Sequence, residues 1–287
     1  MHHVSQMLIQ AGTCLTHALR DALFPPACLQ CGAFFHPPQL EAEFPESISF
    51  EAVSALRNVE KIFQNLMRPY LCPSCLRGFT AADSPLCLQC GLIFKSREGE
   101  DRLCESCIRN RKHFRIARAA GVYDRAMMAV VHELKYGGTV QLAAPLSVLL
   151  LCVFLKYWRR DAIDLVVPVP LYSRRFRRRG FNQSYLIVRP WMDLLRGLNG
   201  TGFTLDILAH GLKRTRPTLP QTGLGRRDRL SNVHSAFEIS SPNRLKNKRI
   251  LIVDDVYTTG ATVNECARVL LQGGASVVDV LTLARAM

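Results

Sequence analysis

Three runs of apolar, largely β-branched residues lie in the second half of the chain, each bounded by residues that end regular structure. Ile163 to Val169 closes on Pro168 and Pro170. Ile250 to Val253 has four consecutive apolar positions, as expected of a strand buried on both faces. Val277 to Leu283 follows the pair Gly273-Gly274. Between the last two runs a helix is predicted to begin near Ala261 and to end at those glycines. The longest apolar stretch, Leu142 to Leu155, contains Pro145 and reads as a buried helix too short to span a bilayer. Strand–helix alternation from about Phe114 onward predicts an α/β fold, a parallel sheet with helices on both faces. Near the start, Leu8, Leu15, Leu19 and Leu23 recur at helical or near-helical spacing before Pro25-Pro26. They predict a helix over 1–24 that packs on its own domain in preference to lying on a membrane surface. The order is thus a helix (1–24), a cysteine-rich domain (25–112) with an insert at about 33–71, and an α/β domain (113–287). The insert carries Glu41, Glu43, Glu46 and Glu51 and a short predicted helix from Glu51 to Met67, with no evident chemistry.

Composition adds a charge argument. A chain of 287 residues with 48% hydrophobic and 21% charged residues is an ordinary globular protein. A formal charge of +14 and a pI near 9.6 are not ordinary, and favour an anionic partner such as nucleotide phosphates, nucleic acid or a membrane surface. The first twenty-five residues lack a basic start and a continuous apolar run, so no secretory signal is expected and the predicted compartment is the reducing cytoplasm.

Eight of the eleven cysteines fall into four Cys-x-x-Cys pairs: Cys28/Cys31, Cys72/Cys75, Cys87/Cys90 and Cys104/Cys107. Two such pairs make one tetrahedral thiolate site, so two structural zinc ions are expected. Three pairings of the four knuckles exist, of which the sequential one (28–75 and 87–107) is favoured. Gly32 and Gly91, each directly after a knuckle, suit the turn. A redox dithiol would need one pair, not four. Cys14, Cys152 and Cys266 sit in helical or apolar contexts and read as core residues. Around the last knuckle, Arg102, Arg109, Arg111, Lys112, His113, Phe114 and Arg115 form a basic stretch with an aromatic, suited to a single nucleic-acid strand or to a solvated edge.

The most specific signal is Ile250-Leu251-Ile252-Val253-Asp254-Asp255-Val256-Tyr257-Thr258-Thr259-Gly260-Ala261-Thr262. Two carboxylates are expected where the strand leaves the sheet. A short loop of hydroxylated residues and glycine then opens a helix, aiming backbone N–H groups and the positive helix end at an anion. The carboxylates would repel that anion and suit neighbouring ribose hydroxyls instead.

This segment resembles the signature of the type I phosphoribosyltransferases at every defining position. The resemblance implies that Asp254 and Asp255 hold the ribose hydroxyls, while the loop from Val256 through Thr262 holds the 5-phosphate of phosphoribosyl pyrophosphate. Purine-salvage members carry an aspartate where this chain has Thr258, which disfavours that activity. Three further segments, together with the cysteine-rich front, resemble the ComF family: His132-Glu133-Leu134-Lys135-Tyr136; Val167-Pro168-Val169-Pro170-Leu171 running on to Arg174-Arg175-Phe176-Arg177-Arg178-Arg179-Gly180-Phe181-Asn182-Gln183-Ser184; and a basic segment over 213–237. In the phosphoribosyltransferase comparison Pro170, Leu171, Arg174, Arg175, Arg179, Asn182 and Gln183 belong to the pyrophosphate loop. Lys213, Arg214 and Arg216 belong to a loop that closes over substrate and neutralises departing pyrophosphate. With Asp254 and Asp255 these form the catalytic candidates, and magnesium would bridge ribose and pyrophosphate oxygens. No general base is evident. The ComF resemblance implies a role in natural transformation. Single-stranded DNA would be met by Arg109, Arg111, Lys112, Arg177, Arg178 and Arg179, with competence-machinery proteins and the inner face of the membrane as further contacts. Lys135 reads equally well as a surface residue.

Overall fold

The structure, a computed structural model, describes residues 25–37, 58–96, 98–198, 205–217 and 235–287. The helix expected over 1–24, Cys14, the acidic part of the insert and most of the basic segment after Pro217 lie outside the described residues.

Five strands form one sheet in the order β1 (Ala117–Val122), β7 (Val277–Arg285), β6 (Arg249–Tyr257), β2 (Leu165–Pro168) and β3 (Asp206–Ile207), every pair parallel. A parallel strand needs a crossover, and the helices supply it on both faces. On one face pack α4 (Arg125–His132), α5 (Ala143–Tyr157) and α7 (Gln183–Val188), with Leu251 and Val253 of β6 beneath them. On the other face α9 (Ala261–Gln272) covers Ile250 and Ile252. The unbroken apolar run of β6 follows from this two-sided cover. A separate antiparallel pair, β4 (Leu212–Arg214) with β5 (Phe237–Ile239), sets Arg214 opposite Phe237. α9 ends where Gly273 leaves no room for a Cβ, which would lie 2.1 Å from Ile239 Cδ1 of β5.

The apolar stretch around α5 departs from expectation. A 3₁₀ turn at Val140–Leu142 runs straight into α5, giving an 18-residue helical stretch with the length and composition of a membrane span. It is 61% buried inside the protein, and Leu146, Leu149, Leu150, Val153 and Phe154 are wholly enclosed, so it is a core helix. Its neighbour α1 (Val59–Met67) is the described part of the helix expected in the insert. Asn58 caps it by accepting from the Lys61 N–H at 3.1 Å, and Phe63 stacks on Phe79 at 3.9 Å between ring centroids.

The cysteine-rich segment does not stand clear of the sheet. Short helices α2 (Pro73–Arg77) and α3 (Glu105–Arg109) each begin directly after a knuckle cysteine. The core cluster that holds Cys28, Cys72 and Cys75 also holds residues of α5 and β6, and Cys87, Cys90, Cys104 and Cys107 share a cluster with Tyr257 and α9. At the third knuckle Gln89 Oε1 accepts from the Lys112 N–H at 3.3 Å. Its carbonyl takes the Ala117 N–H at 2.7 Å, at the first residue of β1.

Candidate functional site

All parallel strands deliver their carboxyl ends to one edge, where ligands of open α/β sheets bind. The pocket forms there because the two neighbours of β6 stop at different heights. β2 leaves after Pro168, the Val169 N–H reaching the Val253 carbonyl at 2.9 Å, whereas β7 pairs with β6 as far as Tyr257 opposite Arg285. Asp254 and Asp255 therefore lie within the strand. This corrects the expectation that they follow it, since pairing with β7 holds them in extended form while their other side opens on a cavity of about 630 Å³.

The Arg-Arg-Gly-Phe-Asn-Gln element closes that side by a chain of local signals. Gly180, at φ 81°, ends α6 (Ser173–Arg179) in the left-handed conformation. Asn182 caps α7 by accepting from the Ser184 N–H at 3.0 Å, and donates to the Val169 carbonyl at 3.1 Å. This directs Gln183 and Ser184 at the carboxylates. Gln183 Nε2 donates to Asp255 Oδ2 at 2.6 Å, and Ser184 Oγ donates to Asp254 Oδ1 at 3.1 Å. Arg179 donates to Gln183 Oε1 at 2.9 Å while stacking over the Tyr136 ring at 4.7 Å.

Lys135 is not a surface residue. It lies in a π-helical turn, Glu133–Gly137, and its Nζ sits 2.7 Å from Asp255 Oδ1. Burial works to lower its pKa, but the charge and hydrogen bond of Asp255 and the charge of Asp254 outweigh burial and hold the ammonium above its ordinary value. Asp254 moves the other way for a carboxyl. Burial, then the adjacent Asp255, raise it to about 7, with Lys135 opposing.

The cavity is lined by Lys135, Arg175, Arg178, Arg179 and Arg214 around this acidic pair, with Val169, Pro170, Leu171, Val256, Thr258 and Thr262 completing the wall. Five cations against two carboxylates leave it strongly positive. Burial, and after it the nearby Arg175, push the Arg214 guanidinium below its ordinary value. Between Thr258 and Thr262, Gly260 at φ 77° turns the chain into α9, and a Cβ there would lie 2.1 Å from the Tyr257 hydroxyl oxygen.

Several expected residues stand apart. Lys213 is exposed on β4; Arg174, Arg177 and Arg216 do not line the cavity. Arg178, expected to face nucleic acid, is exposed on α6 and also lines the cavity. Phe114 cannot stack on a base, being 1% exposed and set edge-on to Tyr257 at 6.2 Å. Arg111 is exposed, Lys112 is partly so, and Arg109 pairs with Glu105 at 2.5 Å in full solvent. Lys135 and His132 line the cavity without having been expected there, and the buried Ser184 supports it from behind through Asp254. The cue for Lys135 and His132 was their place in one five-residue motif.

Each predicted set of four thiols is brought together in the sequential pairing. The sulfurs of Cys28, Cys31, Cys72 and Cys75, and of Cys87, Cys90, Cys104 and Cys107, lie within 4.8 Å of one another in each set. Cys31 and Cys72 are 3.8 Å apart and Cys90 and Cys104 are 3.7 Å apart. Tetrahedral zinc with bonds of about 2.3 Å separates its sulfurs by about 3.8 Å, far more than the roughly 2.05 Å of a disulfide. Backbone N–H groups of Cys90 and Cys104 point at Cys87 Sγ at 3.4 and 3.3 Å, as suits a thiolate, and Gly32 and Gly91 take φ of 72° and 63° at the knuckle turns. The donor sets fit zinc. Cys152 and Cys266 are buried core thiols, and burial raises both.

Fold and sites together define a phosphoribosyltransferase-like α/β domain carrying an amino-terminal module of four-cysteine metal sites. The family model for the phosphoribosyl transferase domain matches residues 200–287. The chain is 34% identical over 220 residues to the DNA utilization protein YhgH of Escherichia coli K12, covering 76% of this chain and 91% of that one. It is 29% identical over 223 residues to Competence protein F of Haemophilus influenzae (75% and 90% covered). With Competence protein ComFC of Bacillus subtilis it shares 25% over 252 residues (85% and 92% covered). The chain belongs to the ComF family of competence proteins.

Proposed function

We propose that the cavity binds the 5-phosphoribosyl group of phosphoribosyl pyrophosphate and that the protein handles single-stranded DNA during natural transformation, in the cytoplasm. The observation that supports the pocket reading is the shared wall: a carboxylate pair, the two threonines (Thr258 and Thr262) on either side of the glycine turn into α9, and five cations all line one cavity. Ribose hydroxyls suit Asp254 and Asp255 as acceptors. The 5-phosphate suits the N-terminus of α9 with Thr258 and Thr262, and a pyrophosphate suits Arg175, Arg178, Arg179 and Arg214. Magnesium, where bound, would be held by ribose and pyrophosphate oxygens beside Asp254 and Asp255 and would supply charge neutralisation there. Replacing both carboxylates (Asp254→Ala with Asp255→Ala) is expected to abolish calorimetric binding of phosphoribosyl pyrophosphate; unchanged affinity would reject the assignment.

The names of the relatives support the DNA role, and the surface that suits it is α6. This helix has no buried residue, carries Arg174, Arg177 and Arg178 outward and exposes Phe176. Changing Arg177, Arg178 and Arg179 to Ala is expected to flatten the salt dependence of single-strand binding by about two in logarithmic slope, at roughly 0.7 per phosphate contact. An unaltered slope would remove α6 from the interface. Contacts with competence-machinery proteins and with the inner face of the membrane belong to the same reading. An active phosphoribosyl transfer is favoured by one feature, His132 on the cavity wall, an imidazole able to accept a proton from an acceptor molecule. Pyrophosphate release on mixing with phosphoribosyl pyrophosphate and a panel of bases, amines and DNA distinguishes transfer from binding.

A further inference from the structure

The last residue of β7, Arg285, touches both the glycine turn and the second thiolate site. It is 8% exposed. One guanidinium nitrogen donates to the carbonyls of Thr258 at 2.7 Å, Ala286 at 2.7 Å and Tyr257 at 3.3 Å. The other faces Cys90 Sγ at 3.9 Å, and the plane lies over the Tyr257 ring at 4.1 Å. Nε has no hydrogen-bond partner, and no carboxylate pairs with the group among the described residues. A buried guanidinium without a counter-charge is strongly unfavourable. Four thiolates around one divalent zinc leave about two negative charges, and hydrogen bonds from outside the metal shell tune such centres. The thiolate site is therefore the counter-charge of Arg285.

The turn end of this contact has a direct geometric effect. A peptide is planar and trans, so fixing the Thr258 carbonyl toward Arg285 aims the Thr259 N–H away from it. A phosphate read by backbone N–H groups depends on that orientation. The stacked Tyr257 carries the constraint one step on, since its hydroxyl occupies the space beside Gly260. The knuckle end is equally fixed: a Cβ on Gly91 would lie 2.5 Å from the Ala117 carbonyl oxygen at the start of β1.

We infer that Arg285 is a positioning residue that couples the Cys87–Cys107 metal centre to the phosphate-binding turn, so that an intact thiolate centre is required for the turn to hold a sugar phosphate. This rests on the pocket reading above only for the identity of the ligand. Linkage makes the coupling reciprocal: a ligand that orders the turn must also act on the metal centre.

The test uses the full chain loaded with metal, in the parent, Arg285→Met and Arg285→Lys forms, with metal content measured in each. Amide hydrogen exchange of residues 258–262 is expected to quicken at least tenfold in Arg285→Met at full metal content. In Arg285→Lys, which keeps the charge but loses the fork, an intermediate rate is expected. Ribose 5-phosphate is expected to bind at least tenfold more weakly to Arg285→Met by calorimetry. In cobalt-loaded parent protein it should shift the thiolate-to-cobalt absorption, a shift absent from Arg285→Met. Unchanged exchange in both variants overturns the coupling. A parent that does not bind ribose 5-phosphate, with exchange still quickened in Arg285→Met, overturns the pocket reading and leaves the coupling standing.

Discussion

Lys135→Met tests the charge logic of the pocket most directly. In the parent, Lys135 and Asp255 meet at 2.7 Å with side chains only 17% and 7% exposed. Methionine keeps the stem and removes the charge, leaving Asp255 beside Asp254 with Gln183 as its neutral donor. Breaking a buried pair from one side costs about 3–5 kcal/mol. A ceiling follows from titration: a carboxyl of ordinary pKa near 3.9 can be neutralised at pH 7 for about 4 kcal/mol, at roughly 1.4 kcal/mol per unit. The expected loss at pH 7 is thus about 3–4 kcal/mol. Its pH dependence has a definite sign. Lys135 has a raised pKa that depends on the ionised carboxylates, so where these are charged its contribution is complete below the ordinary lysine value and is lost at the alkaline end only as pH climbs through the raised one. The carboxyl side dominates between pH 4 and 8. Asp254 is already raised to about 7 because the neutral form is favoured there, and without Lys135, which opposes that rise, it moves further up. A raised acid penalises the fold above its unfolded pKa, so the destabilisation is near zero at about pH 4 and reaches its full size above 7. Urea midpoints at pH 5, 6, 7 and 8 read this out, and Asp255→Asn added to Lys135→Met should return about 2 kcal/mol at pH 8. A loss below about 0.5 kcal/mol, or one that does not vary with pH, refutes the pairing as described.

Gly260→Ala places a methyl group against the Tyr257 hydroxyl in a left-handed backbone. At least tenfold weaker binding of ribose 5-phosphate by calorimetry is expected, with little loss of helix by circular dichroism; parent-like affinity would show that the turn does not meet the phosphate. Cys104→Ser should lower bound zinc from two ions per chain to about one by metal analysis, with the Cys28–Cys75 site still loaded, since the two thiol sets are separate. Loss of both ions together would show that the two centres are not independent.

The parallel sheet, the helix after Gly260, the glycine stop at Gly273-Gly274 and the four knuckles themselves were legible in the chain because each rests on local chemistry. Apolar runs of strand length, a glycine where φ must be positive and thiols three positions apart act over a few residues. The family was legible for the same reason: its motifs are contiguous, and the Asp254-Asp255 pair precedes its turn in one uninterrupted segment. What lay beyond the sequence were contacts that join distant segments. Lys135 and Asp255 are 120 positions apart, and Arg285 and Cys90 are 195 apart. Nothing in the neighbourhood of either residue marks its partner, although a lone arginine closing the apolar strand Val277–Ala284 was a cue that a buried partner existed. Phe114 failed as a base-stacking aromatic because burial belongs to the packed whole: β1 and the second thiolate module close over it. Asp254 and Asp255 remain in extended backbone for a similarly global reason. β7 runs as far as Arg285 while β2 stops at Pro168, and only the difference in length between those neighbours opens a cavity beside the two carboxylates.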